Sequence, residues 1–276
     1  MSVGVTATQE SASVPYIACG PERFLHVEEI GGTTAAVTGT MRTGPWVRDD
    51  RGTPCVGTLG VFADAAWAGA ATACRPSGLW SVSTELSMSF GAPLPDDGSL
   101  LFAAGSVTYQ DGHSAIAIGA VRTADGRCLA VGTTRARFVP GNPIFPSHAD
   151  AARDPVASGV VDWLGLEFAP DGQTAGLLAR EHVTNPAANV HGGVLFCVSE
   201  LAATRAVDAE GRGLAVSSMT VLYLRRAPVG EGVSCETEIV HRGRTAAGVL
   251  VRCRRPDGNV AALATVNFGP VAASKG

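Results

Sequence analysis

Two long segments of the chain are apolar on nearly every face, whereas most of the remainder alternates between apolar and polar positions over short stretches. Residues 57–73 and 193–207 contain no proline and consist mainly of small and apolar residues, which predicts two buried helices. The alternating segments predict β-strands, with hairpin turns at the Asp-Gly pairs 125–126 and 257–258. Three of these segments are LAVSSMTVLYL, SCETEIVHR and TAAGVLVRC.

The sequence repeats itself once. When Asp64 is placed on Glu200, residues 54–71 align with 190–207 without a gap, and 107–138 align further on with 239–268. Upstream, the segment that begins at Phe24 resembles the one that begins at Trp163. Each repeat predicts two short strands, an irregular loop, one helix and then three strands. Because a helix that is apolar all round cannot face water, we expect an antiparallel sheet to curl around it and the other repeat to cover the rest.

The repeat also predicts the domain boundaries. We expect an N-terminal tail over residues 1–21 and a first domain over 22–140. A linker rich in proline, alanine and aspartate follows over residues 141–160, and the second domain covers 161–271.

Composition narrows the class of partner. With 46% hydrophobic and 17% charged residues, the chain can bury a large core. The net charge of −4 and the lack of a basic, aromatic-rich run argue against nucleic acid. An uncharged apolar run of membrane-spanning length is absent from the sequence, as is a signal sequence, so we expect no membrane and a cytoplasmic protein. The seven cysteines share no C-x-x-C spacing and are expected to be reduced, and the histidines predict no metal site.

One polar motif precedes and enters the second apolar helix. It consists of Asn185, then His191 with Gly192 and Gly193, then Glu200 inside the helix. The first amides of a helix are free donors with a partial positive charge, and glycine allows a ligand to approach them closely. A thioester carbonyl needs such donors as it becomes an oxyanion, and the attacking water needs a base. The alternative is that Glu200 and its counterpart Asp64 are structural acids bonded to backbone amides.

This spacing resembles the hotdog-fold acyl-CoA thioesterases of the PaaI-like type, which take part in phenylacetate degradation. Both repeats share the resemblance, which therefore implies an α+β fold of two tandem hotdog domains, each a curled antiparallel sheet around one central helix, packed as a pseudo-dimer. It implies hydrolysis of an acyl-CoA substrate, with coenzyme A as part of the substrate and no separate cofactor. A homodimer of such chains is also implied. Neither the acyl group nor the choice between CoA and acyl-carrier protein can be predicted.

The resemblance and the helix geometry together predict two unequal sites. An acid eight residues beyond Gly192 lies about 12 Å along the helix, too far to share a water with its N-terminus. The acid must therefore come from the other repeat. Site one combines Asn185, His191 and Gly192 with Asp64. Site two combines Glu200 with Gly57; here Cys55 replaces the histidine, and Asp49 or Asp50 takes the place of the asparagine. We expect site one to be the better equipped, with Asn185 contacting the thioester oxygen or the water and His191 orienting the loop.

Further candidates follow the helices in the chain. By the same resemblance a hydroxyl on the next strand helps to hold the water, which points to Thr84 and Ser218. Four arginines could contact the coenzyme A phosphates together with the Gly193 amide, since arginine binds phosphate through bidentate contacts. They are Arg225, Arg226, Arg242 and Arg244. Two other functions stay open, an enoyl- or hydroxyacyl-thioester hydratase or dehydratase and a non-catalytic acyl-CoA-binding protein, because a fold does not fix a function.

Overall fold

The computed structural model describes residue 16 and residues 18–33, 36–141 and 157–270. Most of the predicted N-terminal tail and of the predicted linker lies outside these residues. The helices are α1 (Gly20–Phe24), α2 (Leu59–Ala63), α3 (Gly69–Ala73), α4 (Val160–Leu164) and α5 (Gly192–Val207). The strands of the first half are β1 (Val27–Gly32), β2 (Val37–Arg42), β3 (Leu79–Phe90), β4 (Leu100–Gln110), β5 (Ser114–Thr123) and β6 (Cys128–Pro140). Those of the second half are β7 (Glu167–Phe168), β8 (Thr174–Leu178), β9 (Leu214–Tyr223), β10 (Gly232–Arg242), β11 (Ala247–Arg254) and β12 (Val260–Pro270).

These twelve strands form one antiparallel sheet. Its order is β1-β2-β4-β5-β6-β3-β9-β12-β11-β10-β8-β7, so the strands of each half follow the same order outward from the centre. β3 and β9 pair at the centre, from Glu85 opposite Leu222 to Ser89 opposite Ser218. The two halves therefore share one continuous hydrogen-bonded sheet.

The predicted order of elements is confirmed with two corrections. Four strands follow the helix in each half, where the sequence predicted three. A five-residue helix, α1 or α4, precedes the first strand of each half and was not predicted, because a segment this short carries no helical period. The two Asp-Gly turns lie where predicted, and Gly126 and Gly258 adopt the positive φ angles of 86° and 78° that such turns require.

The two central helical segments pack directly on each other, because glycines face the contact. A Cβ at Gly60 would lie 2.6 Å from the Phe196 ring, and one at Gly193 would lie 2.4 Å from the Val61 Cα. Larger residues at these positions would push the helices apart. The helices bury the largest apolar side chains of the core, Phe62, Trp67 and Phe196 among them.

The first central helix departs from the predicted regular form. Residues 193–207 lie in the single helix α5, but residues 57–73 begin with a 3₁₀ turn and are interrupted at Asp64–Ala68 by a π-helical turn between α2 and α3. A π turn inserts an extra residue into the helical ladder and turns the side chains that follow relative to those before it. The acid Asp64 begins this turn.

Trp67 lies within the π turn and packs tightly against the sheet. Its indole is completely buried and fits a slot formed by Gly105, Gly119 and Gly132, which lie opposite one another on β4, β5 and β6. A Cβ at Gly119 would lie 2.0 Å from the Trp67 Nε1, so only glycine leaves room for the ring. The aligned residue of the second half is Ala203, which has no ring to accommodate.

Two further observations concern the cysteines and the membrane. Cys235 and Cys253 lie directly opposite each other on β10 and β11, with a Cα–Cα distance of 4.0 Å, and form a disulfide. The prediction that every cysteine is reduced is therefore wrong for this pair, because sequence spacing did not reveal that strand pairing places the two residues side by side. Within the described residues, the helices are too short or too polar to cross a bilayer.

Candidate active site

A cavity of about 470 Å³ lies between the two halves, at the N-terminus of α5. Both halves supply its walls. From the first half come the π-helical turn and the start of β3, and from the second come the loop that precedes α5 and the end of β9. Of the predicted residues, it is lined by Asp64, Thr84, Asn185, His191, Gly192, Arg225 and Arg226. The structure thus brings most of the predicted site one together around one cavity.

Asp64 lies against the start of α5, the central helix of the second half. A Cβ added to Gly192 would be 3.1 Å from the Asp64 Oδ2, and the hydroxyl of Ser83 donates to the other carboxylate oxygen at 2.8 Å. The Asp64 side chain is only 13% exposed. Burial raises the pKa of Asp64, although His191 and the Ser83 hydrogen bond partly offset the shift. A carboxylate with a raised pKa is a stronger base than an exposed aspartate.

His191 is the N-cap of α5 and joins three groups. Its Nδ1 accepts the Gly193 N–H at 3.0 Å, and its Nε2 lies 3.2 Å from the Glu22 Oε1 and 3.8 Å from the Asp64 Oδ2. Burial alone would lower the pKa of this imidazole, but the Glu22 carboxylate and, more weakly, Asp64 raise the pKa of His191 to about 9. His191 therefore caps the start of α5 and links it to Glu22 of the first half.

The two glycines of the motif differ in what their amides do. The Gly193 N–H donates to His191, and Gly193 packs against Val61. Its amide is therefore not available for the contact with coenzyme A that the sequence predicted. The Gly192 N–H donates to none of the described residues. Its carbonyl accepts the Tyr223 hydroxyl at 2.9 Å, which fixes the peptide orientation. Gly192 is therefore the residue whose amide is available to a bound carbonyl oxygen.

Asn185 lies on the loop before α5 and lines the cavity. Its Oδ1 accepts the backbone N–H of Ala187 at 3.0 Å and that of Asn189 at 3.3 Å. These bonds form a turn in which the side-chain oxygen is the acceptor, so the Asn185 Nδ2 is the end of the side chain that can donate. Asn185 can therefore donate to a ligand in the cavity.

The hydroxyl that contacts Asp64 belongs to Ser83, one position before the predicted Thr84. The pairing of β3 with β6 shifts register between Ser83 and Glu85, and Thr84 donates to the Arg135 carbonyl instead. A β-bulge of this kind reverses which side chains face the helix and leaves no mark in the alternation of the sequence. The other candidate, Ser218, accepts from the Asn267 side chain on β12 and does not line the cavity.

The four predicted arginines separate into two pairs. Arg225 and Arg226 are exposed at the cavity, where they can meet a charged part of a ligand. Arg242 donates to the Ala206 carbonyl at the far end of α5, roughly 21 Å along the helix from Gly192. Neither it nor Arg244 lines the cavity.

The second predicted site is filled by its own side chains. Glu200 is 5% exposed, and its Oε2 accepts the Gly57 N–H at 3.1 Å as well as the Cys55 thiol. Burial raises the pKa of Glu200 to about 7. Glu200 and Gly57 do not line the cavity, and Val56 stands at the position that aligns with Gly192. The Glu200 carboxylate therefore bonds to the Gly57 amide that the sequence predicted as the donor to a substrate at this site.

The two acids considered as replacements for the asparagine at this second site are also engaged. Asp49 accepts the backbone N–H groups of Arg51 and Thr53, each at 2.9 Å, and Asp50 pairs with Arg205 of α5. Asp49 thus stabilises its own loop, and Asp50 joins the two halves on the surface.

Three residues of the site were not assigned this role from the sequence. Ser83 holds Asp64, Tyr223 fixes the Gly192 peptide, and Glu22 bonds to His191. Only Ser83 could have been found from the sequence, because it is adjacent to the predicted Thr84. Glu22 lies in a short segment ahead of the first strand, and sequence alone does not show that this segment folds back onto the other half.

Comparison with known proteins agrees with this architecture. Residues 180–269 match the sequence model of a family described as the acyl-CoA thioesterase N-terminal domain. None of the curated proteins matches the chain. The matched domain is that of a thioester hydrolase, and the chain is an enzyme of this class.

Solved structures share the fold at low sequence identity. The acyl-CoA thioesterase II of Mycobacterium marinum is 13% identical, with a TM-score of 0.61, over 93% of this chain and 98% of that one. The acyl-ACP thioesterase of Bacteroides thetaiotaomicron is also 13% identical, with a TM-score of 0.59, over 84% and 97% of the two chains. These likenesses support a hotdog-type thioesterase fold, and they do not single out the PaaI-like type that the motif resembles.

Proposed function

We propose that this chain hydrolyses acyl-CoA thioesters in the cavity at the start of α5, with Asp64 as the base. One observation supports this most strongly. A buried carboxylate from one half lies beside Gly192, the residue of the other half whose N-terminal amide is free, and both residues line the same cavity. Base and oxyanion donor are thus close enough to act on one carbonyl carbon and one water.

The reaction proceeds by addition and elimination. Asp64 takes a proton from a water, and the water oxygen forms a bond to the thioester carbon. The carbonyl π electrons move to the oxygen, which becomes an oxyanion held by the Gly192 N–H and the Asn185 amide. When the carbonyl re-forms, the carbon–sulfur bond breaks, and the thiolate of coenzyme A leaves with the electron pair. The proton on Asp64 then restores the thiol, directly or through solvent.

The position of the arginines supports coenzyme A as the leaving group. Arg225 and Arg226 are exposed where the cavity meets the surface, and guanidinium groups suit phosphates. The cavity is also lined by Trp80, Val82 and Val139, which offer an apolar surface to the acyl group. Acyl-carrier protein also presents a phosphopantetheine thiol, so thioesters of both carriers are needed to identify the leaving group.

The arrangement of the halves supports a tandem, PaaI-like organisation within one chain. Both halves have the same strand order outward from β3 and β9, and their two central helices pack together through glycines. In this proposal residues 22–140 and 161–271 are the two domains, and they form a pseudo-dimer. One interfacial site has remained catalytic and the other, around Glu200, has become a structural contact.

Release of free thiol tests the proposal directly. We expect the purified chain to release thiol from at least one member of a panel of short, medium, long and aromatic acyl-CoA substrates, with matched acyl-carrier-protein thioesters alongside. Thiol is followed with a chromogenic thiol reagent, and enoyl absorbance is recorded on the same samples. A hydratase would change the enoyl absorbance without releasing thiol. Binding with no turnover of any substrate would favour the non-catalytic alternative, and either result would overturn the proposal.

The pH dependence of hydrolysis should reveal the base. Asp64 must be ionised to accept a proton, so kcat/KM is expected to rise as the pH rises through its pKa. Burial raises that pKa, and the acidic limb should therefore lie above the range of an exposed aspartate. Since the pKa of Glu200 is about 7, it could produce a similar limb. The profile of Glu200→Gln distinguishes the two acids, because a limb due to Asp64 persists in that variant and one due to Glu200 disappears.

A further inference from the structure

Glu22 is a buried acid that the proposed mechanism does not use. It is 4% exposed, although it belongs to the short helix α1 near the edge of the described chain. Both carboxylate oxygens have partners. Oε2 accepts the Cys19 N–H at 3.1 Å within its own helix, and Oε1 lies 3.2 Å from the His191 Nε2 in the other half. Burial would raise the pKa of Glu22, but the charge and hydrogen bond of His191 outweigh it and lower the pKa.

The His191 ring is held from both sides. Its Nδ1 accepts the Gly193 N–H, so the proton of a neutral ring lies on Nε2, where it faces Glu22. Turning the ring over would lose both bonds at once. The neighbouring carboxylates favour a second proton on the ring, whereas the Gly193 amide opposes it, because a protonated Nδ1 cannot accept a hydrogen bond. The other ionisable groups around Glu22 and His191 are Asp64, Tyr16, Cys19 and Arg23.

This arrangement determines which amide of α5 is free. Because His191 caps the amide of Gly193, it leaves the amide of Gly192 without a protein partner among the described residues. If the ring moved away from Glu22, the cap on Gly193 would be lost, and the first turn of the helix would lose its fixed orientation. The position of the free Gly192 amide therefore depends on an acid that does not touch it.

The second half of the chain supports the link between the two residues. In the alignment of the two repeats, Val161 stands opposite Glu22 and Cys55 stands opposite His191. The acid and the histidine are thus present together at the cavity and replaced together at the filled site around Glu200.

We propose that Glu22 is a positioning residue of the thioesterase site, whose carboxylate fixes the His191 ring so that it caps Gly193 and leaves the Gly192 N–H directed at the substrate carbonyl. The inference rests on the proposed function of the cavity. It adds a contact from α1, a segment outside both central helices, to the machinery of the site.

Two substitutions separate the position of the acceptor from its charge. Glu22→Gln keeps an acceptor oxygen at the same reach and removes the charge, whereas Glu22→Asp keeps the charge and withdraws the oxygens by roughly 1.5 Å. If position matters, Glu22→Asp lowers kcat about 10- to 100-fold with KM nearly unchanged, the range found when the carboxylate that orients a metal-bound histidine is removed. Glu22→Gln retains most of kcat.

A second measurement does not depend on turnover. Ring nitrogen NMR of His191 in the full chain, at a pH above its pKa of about 9 where the ring is neutral, is expected to show the proton on Nε2 and an acceptor Nδ1 in the wild type and in Glu22→Gln. In Glu22→Asp we expect signals of both tautomers, because the acceptor that selects one of them is out of reach. Thermal unfolding of each variant shows how much of any change is a loss of stability, including the loss of the bond to Cys19.

The outcomes are distinct. Wild-type kcat in Glu22→Asp, or equal losses in both variants when both are folded, would overturn the proposal, as would a proton on Nδ1 of the neutral wild-type ring. If the chain released no thiol from any acyl-CoA, the proposed function would fail. The NMR comparison would then still decide whether Glu22 sets the state of His191.

Discussion

Asp64→Asn is expected to lower kcat for acyl-CoA hydrolysis by about 10²- to 10⁴-fold, the usual contribution of a general base, while KM changes little. The amide fits the same space and can still accept the Ser83 hydroxyl, so the cavity and the fold should be retained. What it loses is the ability to take a proton from water. Steady-state kinetics on the best substrate of the panel, with thermal unfolding as a check of folding, measures the effect.

Glu200→Gln is the matched control for this substitution, because Glu200 aligns with Asp64 in the other repeat. It lies away from the cavity and bonds to Gly57 and Cys55, so its loss should change kcat by only a few-fold and act mainly on stability. Equal retention of turnover in both variants would exclude a carboxylate base. A loss confined to Glu200→Gln would place the chemistry at the other site.

The contrast between these acids shows how far sequence reasoning reaches. Two facts were enough to predict that an acid of one repeat would meet the helix start of the other. They are the alignment of Asp64 with Glu200 and the rise of an α-helix per residue. They could not tell that the amide of Gly57 bonds directly to Glu200. That difference depends on Val56 and Cys55, whose contacts appear only when the helices are packed together.

The registers of the strands could not be predicted for a related reason. Alternation of apolar and polar residues predicted where strands lie, but a single inserted residue in β3 moved the hydroxyl that faces Asp64 from Thr84 to Ser83. Likewise, the disulfide between Cys235 and Cys253 follows from the register of β10 on β11, which no local pattern encodes. Registers depend on long-range pairing, so a sequence read locally leaves them open.

The π turn at Asp64 is the clearest case of a feature set by distant residues. Three glycines on three different strands share one row of the sheet, and the indole of Trp67 fills the space above them. In α5, where Ala203 takes the place of Trp67, the helix is regular and its acid points to a backbone amide. The indole thus anchors the irregular turn, and the irregular turn coincides with the acid that reaches the cavity.

Trp67→Ala is therefore expected to reduce the free energy of unfolding by about 3–5 kcal/mol, the range found when a buried aromatic ring is removed and a cavity remains. The ring is completely buried, and the glycines beneath it have no side chains with which to fill the space. Urea unfolding followed by circular dichroism measures the loss. Where the variant is still folded, kcat should fall as well, because the turn that carries Asp64 is no longer anchored.

Trp67→Phe separates the ring from its polar atom. The Trp67 Nε1 has no hydrogen-bond partner within the described structure, so phenylalanine gives up no bond and still fills most of the slot. We expect it to lose much less stability than alanine and to keep kcat close to that of the wild type. If Trp67→Ala were destabilised but kept full kcat, the indole would support the core alone, and the orientation of Asp64 would have to come from Ser83 and the helix contact with Gly192.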